Sequence, residues 1–306
     1  MVKRKVSQIG PSTLMVSLPS KWVKEFGIKK GDEMDISASG RSLLVETPRL
    51  KKNEPLKIDL NGLNANLIRY FLYAAYRIGA DEVELSFDNE NVVDKKQKKS
   101  ILVLDVIGSV VENLIGFEIM LQRENYVKIK EVSSVNADEF INAVKRIFFT
   151  LVNTTSDMAS AIENKNKILL ERIKNLSDRK VNKLCDFCHR VINKGGVVET
   201  KKVPQYYSVV STLEEIGDSL DAICSLAIKD EVKPKEVALL HELMEKMYKI
   251  FCQYDKKSLY AFYEAKNILK DMPIKGELKI ELSKIASYCS KILPEIISLN
   301  LENNGK

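Results

Sequence analysis

The chain has 306 residues, 45% of them hydrophobic and 29% charged, a composition that supports about two buried cores and excludes a disordered chain. The formal net charge is +6, and it is segregated: residues 1–52 hold 11 Lys and Arg against 5 Asp and Glu, while the other 254 residues hold 37 of each. No apolar run reaches the roughly 18 residues needed to cross a bilayer, and the two His argue against His-based catalysis or a His-rich metal site.

Residues 1–47 read as short β-elements with one short helix. Leu14, Val16 and Leu18 alternate with polar Ser17, a strand period of two, and Pro19 ends that strand. Trp22, Val23 and Phe26 give the helix one apolar face, and Gly27 stops it. Met34, Ile36 and Ala38 then alternate before a turn at 39–42 and a closing "LLVE". Some 47 residues cannot build a secure core alone, whereas two copies can share one. Residues 48–54, "PRLKKNE", read as a linker.

Residues 55–135 mix elements. "LKIDL", "EVELSF", "FEIMLQ" and "YVKIKEVS" are strand-like, and 64–78 and 100–115 are helix-like. The order β-α-β-α-β-β predicts a small α+β domain. The basic run "DKKQKKS" at 94–100 reads as a solvated loop or helix start. From 137 to 303 the periodicity is helical throughout. Helices are expected near 137–173, 178–194, 203–230, 234–269 and 276–302, with short connections that argue for an antiparallel all-α bundle. The fold class is therefore multi-domain α+β.

The first stretch carries a resemblance. "KVSQIGPSTLMVSLPSKWVKEFGIKKGDEMDI…LLVE" resembles the AbrB/SpoVT family of small DNA-binding domains, through Gly10 and Ser12, the "VSLP" strand end and "WVKEFGIKKGDEM". The resemblance covers residues 3–47 and implies a swapped-hairpin homodimer. It also implies that Lys3, Arg4, Lys5, Lys21 and Lys24 contact phosphates, with Gln8 and Ser12 as polar helpers. Pro11 stands where many members have a small polar residue. The segregated positive charge fits a polyanion-binding head on a neutral body.

A second signal is acidic. Residues 205–228 contain no Lys or Arg, yet include Glu214, Glu215, Asp218 and Asp221. At 100° per residue, Glu214, Asp218 and Asp221 fall within about 60° of one another. Leu213, Ile216, Leu220, Ile223, Cys224 and Ala227 form a separate apolar stripe. Like charges at i,i+4 destabilise a helix, so the stripe calls for compensation by a hard cation, by basic residues of another helix, or by solvent.

"YYSVVSTLEEIGDSLDAI" resembles the signature helix of the PhoU phosphate-uptake regulators, with Glu214 and Asp218 at the acidic positions. "SDRKVNKLCDFCHRVINK" resembles the preceding helix, with Asp178 and Asn182 in the expected places. The resemblance extends over 137–303 and implies a bundle of two three-helix repeats. It further implies a divalent or trivalent metal (iron, zinc or magnesium) held by Glu214, Asp218, Asp221 and Asp178. Glu215 stands where Arg is common, and residues 283–296 lack the acids of a second motif, so a single site, or one completed by Asp178 or another subunit, is expected.

"CDFCH" at 185–189 has the spacing of a haem-attachment string. Val181, Leu184, Cys185, Cys188, Val191 and Ile192 nevertheless form one helical stripe, so both Cys are expected in the core as small apolar residues, without haem. The basic start is followed by no apolar signal core, which points to the cytoplasm and to reduced Cys. No phosphate-binding loop and no Ser/His/Asp set occurs, so no enzyme is expected.

The combination resembles archaeal PhoU-domain regulators with an N-terminal AbrB/SpoVT domain. It implies a transcriptional regulator of phosphate uptake or a related response, acting on duplex DNA as a homodimer or higher assembly and not as an integral membrane protein. The alternative is a signalling adaptor for a membrane transporter or kinase, its head serving only to dimerise.

Overall fold

The computed structural model describes residues 3–39, 42–46, 54–94, 98–133, 137–195 and 198–301, without the side chains of 37–39, 42, 44, 46, 137, 176 and 178. The chain forms two compact units, Met1–Glu54 and Pro55–Lys306.

In the first unit, β1 (Val6–Ile9) and β2 (Thr13–Val16) form an antiparallel hairpin with Val6 opposite Val16 and Ile9 opposite Thr13. Gly10 takes a φ of 74°, which a Cβ would strain, and the Gln8 side-chain amide donates to the Pro11 carbonyl across the turn at 3.2 Å. The helix α1 (Ser20–Glu25) follows Pro19, and its Trp22 ring meets Phe26 at 5.8 Å. A second hairpin pairs β3 (Asp35–Ser39) with β4 (Ser42–Glu46).

The second unit begins with a sheet in the order β5-β6-β10-β9 among the described residues. The strands are β5 (Leu56–Asp59), β6 (Glu82–Ser86), β9 (Phe117–Arg123) and β10 (Tyr126–Glu131). Strand β5 runs parallel to β6, and β10 is antiparallel to both its neighbours. Val83, Leu85, Val127 and Ile129 point into a core closed by α2 (Ala65–Arg77) and α3 (Val103–Val111). Their neighbours Glu82, Glu84 and Lys128 form ion pairs on the opposite face. Asn64 starts α2 by accepting hydrogen bonds from the N–H groups of Asn66 and Leu67.

A hairpin of β7 (Asn91–Asp94) and β8 (Lys99–Leu102) lies where the sequence suggested a loop leading into a helix. It is anchored by Asp94, buried and paired with Arg69 of α2 at 3.0 Å. Residues 95–97 of the basic run lie outside the described residues.

The remainder is helical: α4 (Ala137–Glu163), α5 (Lys167–Lys194), α6 (Val203–Ile228), α7 (Pro234–Cys252), α8 (Lys256–Asp271) and α9 (Glu277–Leu301). Helices α4, α5 and α6 pack mutually, as do α7, α8 and α9, and α6–α9 and α4–α7 contacts join the two three-helix groups around one core. Three helix boundaries differ from expectation. The break after α4 falls at 164–166, because Lys165 adopts a φ of 51° and Asn166 caps α5 by accepting from the Leu169 N–H at 2.9 Å. The expected break near 174–177 is continuous helix, and Ser177 there hydrogen-bonds Thr154 of α4. The expected helix 234–269 is two helices, divided by Asp255, which caps α8 through the Ser258 N–H at 2.8 Å.

The α/β layer and the helical body have separate cores and meet along a polar seam. Arg190 of α5, buried to 2% exposure, lies over the rings of Tyr76 (4.9 Å) and Phe117 (4.6 Å). It donates to the Tyr76 carbonyl at 2.9 Å and pairs with Glu131 at 3.1 Å. Lys194 reaches Asp81 at 2.6 Å and also pairs with Glu131. Asn193 donates to the Arg77 carbonyl and Lys183 to the Glu112 carbonyl.

Candidate functional site

In the first unit, Lys3, Arg4 and Lys5 precede β1, and Lys21 and Lys24 project from α1; all five are exposed, as is Ser12 in the turn. Gln8 is exposed too, but its amide is engaged with Pro11. None of the described residues of this unit is buried. Leu14 (70% exposed) and Ile36 (64%) stand in solvent on strands whose alternation anticipates a covered face. An isolated two-stranded hairpin is at best marginally stable, so this unit is complete only with further surface against it.

In the second unit the acidic stripe of α6 turns toward α5 and α2. Glu214 pairs with the Arg77 guanidinium at the end of α2, at 3.2 Å. The same guanidinium binds Asp186 of α5 through Nε. Burial pushes the Asp186 carboxyl up, against the pull of Arg77 beside it. One cation therefore ties three helices together, and it supplies the compensation that Glu214 requires. Glu215 pairs with Lys291 of α9 at 3.1 Å.

Asp218 is exposed on α6, and Asp221 lines a cleft of about 540 Å³ together with Lys174, Arg179, Asn182, Lys183, Asp186 and Tyr73. The cleft thus brings Asn182 and Asp221 together with Asp186, whose partner Arg77 also holds Glu214. Asp178 is on α5, with its side chain outside the described residues. Among the described residues no three His, Cys, Asp or Glu side chains converge as metal ligands.

Asp186 and Arg77 were missing from the sequence reading. Asp186 lies four residues beyond Asn182 and eight beyond Asp178, so the i,i+4 spacing on α5 carried its signal. Arg77, 109 residues from Asp186, left none.

Gly217, between Glu214 and Asp218 in sequence, has a packing reason: a Cβ there would meet Val181 Cγ1 at 3.1 Å. Cys185 and Cys188 are fully buried, with Cys185 Sγ facing the Val210 carbonyl at 3.7 Å, and burial pushes both thiols up. His189 of the same string hydrogen-bonds Ser211 at 3.0 Å and stacks beside Tyr207. Burial, helped by the Arg77 charge, lowers its pKa to about 4.

Residues 8–54 match the family model described as antidote-toxin recognition MazE, a bacterial antitoxin. The first unit is a MazE/AbrB-like domain. The match runs through the segment read as a linker and ends where the first compact unit ends. No curated protein and no solved structure matches the chain. No described helix is long and apolar enough to cross a membrane.

Proposed function

We propose that the protein is a DNA-binding regulator that works as a homodimer through its N-terminal domain, with the helical body as its sensing part. The observation that carries this reading is the placement of the whole net charge on the unit that matches the MazE/AbrB-like domain. Lys3, Arg4, Lys5, Lys21 and Lys24 are the phosphate contacts, and Ser12 is a polar helper. Gln8 acts indirectly, by holding the turn. The dimer follows from the apolar strands that the unit leaves in solvent.

The finer reading is a phosphate-uptake or related response. It rests on the resemblance of α5 and α6 to the PhoU helices and is compatible with two groups of three helices. The body can alter the head only if an effector prefers one arrangement of the seam and cleft over another.

The test is duplex-DNA binding by the full chain over a range of salt. Each neutralised phosphate adds about 0.9 to the slope of log affinity against log salt, so Arg4→Ala with Lys5→Ala, two contacts in each protomer of the dimer, is expected to flatten it by up to about 3.6. A dimer with no salt-dependent DNA affinity would replace this reading with that of an adaptor whose head only dimerises.

A further inference from the structure

Helix α2 is apolar on two faces. Ala65, Ile68, Leu72, Ala75 and Tyr76 are buried against the sheet and α3. Leu67, Tyr70, Phe71, Ala74 and Ile78 form a second stripe at i, i+3, i+4, i+7 and i+11, within about 100° of arc on the side facing away from that core. Tyr70 is 69% exposed, Ile78 62% and Phe71 45%, and Ala74 is exposed. The stripe holds no charged or hydrogen-bonding side chain other than the Tyr70 hydroxyl. The two Arg of the helix, Arg69 and Arg77, point elsewhere, to Asp94 and to Asp186 and Glu214. A solvated helix face normally carries charge, so a contiguous apolar one marks a contact surface.

We infer that this face of α2 pairs with the same face of a second copy, as an additional interface within the homodimer. Three features select a second copy. First, the stripe is self-complementary about a twofold axis between positions 72 and 73. In an antiparallel pairing, bulky Phe71 falls opposite small Ala74, which leaves it a recess to enter, while Leu67 and Ile78 meet as two aliphatic side chains at each end of the stripe. Second, it brings no like charges together. Third, the first unit supplies a tether.

Only nine residues, 47–55, separate β4 from β5, a reach of at most about 35 Å. Two bodies attached to one dimeric head are thus held at about millimolar effective concentration. The tether is needed, because five side chains on one helix cover well under the roughly 800 Å² per partner of a standard free-standing interface. The inference therefore rests on the head-mediated dimer.

The experiment uses the full chain carrying Cys252→Ser, which removes the exposed native thiol, and Ala74→Cys. A short bismaleimide is expected to join two protomers through position 74 in high yield. Adding Phe71→Lys, on the solvent side of α2, is expected to cut that yield at least tenfold while the mass in solution stays dimeric. A dimer that does not cross-link at position 74 overturns the α2 pairing and leaves the head reading intact, as it would if the chain's own head or another protein covered the face. Equal yield from Ile168→Cys, exposed on α5, would also overturn it, since that result reports random collision. A chain monomeric by mass overturns the head reading and, with the tether gone, this pairing too.

Discussion

His189 makes the protein acid-sensitive in a calculable way. Its native pKa of about 4 lies below the ordinary value of 6.5, so as pH falls the unfolded chain takes up this proton first. Stability is therefore expected to drop by about 3 kcal/mol between pH 6.5 and 4, and His189→Gln to lack that share of the slope in urea titrations at stepped pH. Arg77 gives a pH dependence of the opposite sense. Its removal leaves Asp186 buried and Glu214 beside it with no guanidinium, a situation that costs about 2–4 kcal/mol once the partial exposure of Arg77 is allowed for. Asp186 already has a raised pKa, so Arg77→Ala raises it further and widens the window in which the native state holds the extra proton. The deficit of Arg77→Ala should accordingly be full at pH 7.5 and shrink as pH is lowered toward the ordinary carboxylate range. The thiols offer a third check. A thiol reagent should titrate Cys252 in the native protein and Cys185, Cys188, Cys224 and Cys289 only after unfolding. Residues of this kind divide by whether their signal was local. The burial of Cys185 and Cys188 was legible because they share an apolar stripe at helical spacing. Arg77 and Arg190 were not, because a long-range ion pair leaves no periodicity in the chain.

Among the elements, α5 and α6 pack closely at Gly217. Gly217 lets α6 settle against Val181, so a larger side chain must separate the two helices. Gly217→Leu is expected to destabilise by more than about 2 kcal/mol, whereas Gly217→Ala, which gains helix propensity while pressing on a Val methyl, should lie within about 1 kcal/mol of the parent in thermal melts. The same comparison shows why some elements were readable. The strand at Glu82–Ser86 and helix α2 each present one clean period, buried residues alternating in the first and recurring every three or four positions in the second. The β7–β8 hairpin was lost because "KSIL" runs straight into α3, and four apolar-ending residues before a helix look like its first turn. The break at 164–166 was lost because Asn164, Lys165 and Asn166 include neither Gly nor Pro; the turn depends on a left-handed Lys and an Asn cap, which the chain uses freely elsewhere.

At the scale of the molecule, the unit that bears the net charge and the unit that bears the cleft are different pieces of chain, so under the proposed function the two roles can change independently in sequence while remaining linked through residues 47–55. Their composition shift at residue 52 made that division legible. The junction inside the second unit, by contrast, has thermal consequences. The α/β layer and the helices have cores that share no buried residue; Ile115 packs across against the helical core, and the Arg190, Lys194 and Arg77 seam supplies the charged contacts between them. Cooperative melting of residues 55–301 therefore depends heavily on a few charged groups. Arg190→Ala removes the most buried of them. In a calorimeter the parent is expected to melt this unit in one endotherm and the variant in two. At about 0.7 kcal/mol per residue, the layer of residues 55–133 would absorb about 55 kcal/mol and the helices of 137–301 about 115, so a one-to-two ratio of peak areas would show which piece lets go first.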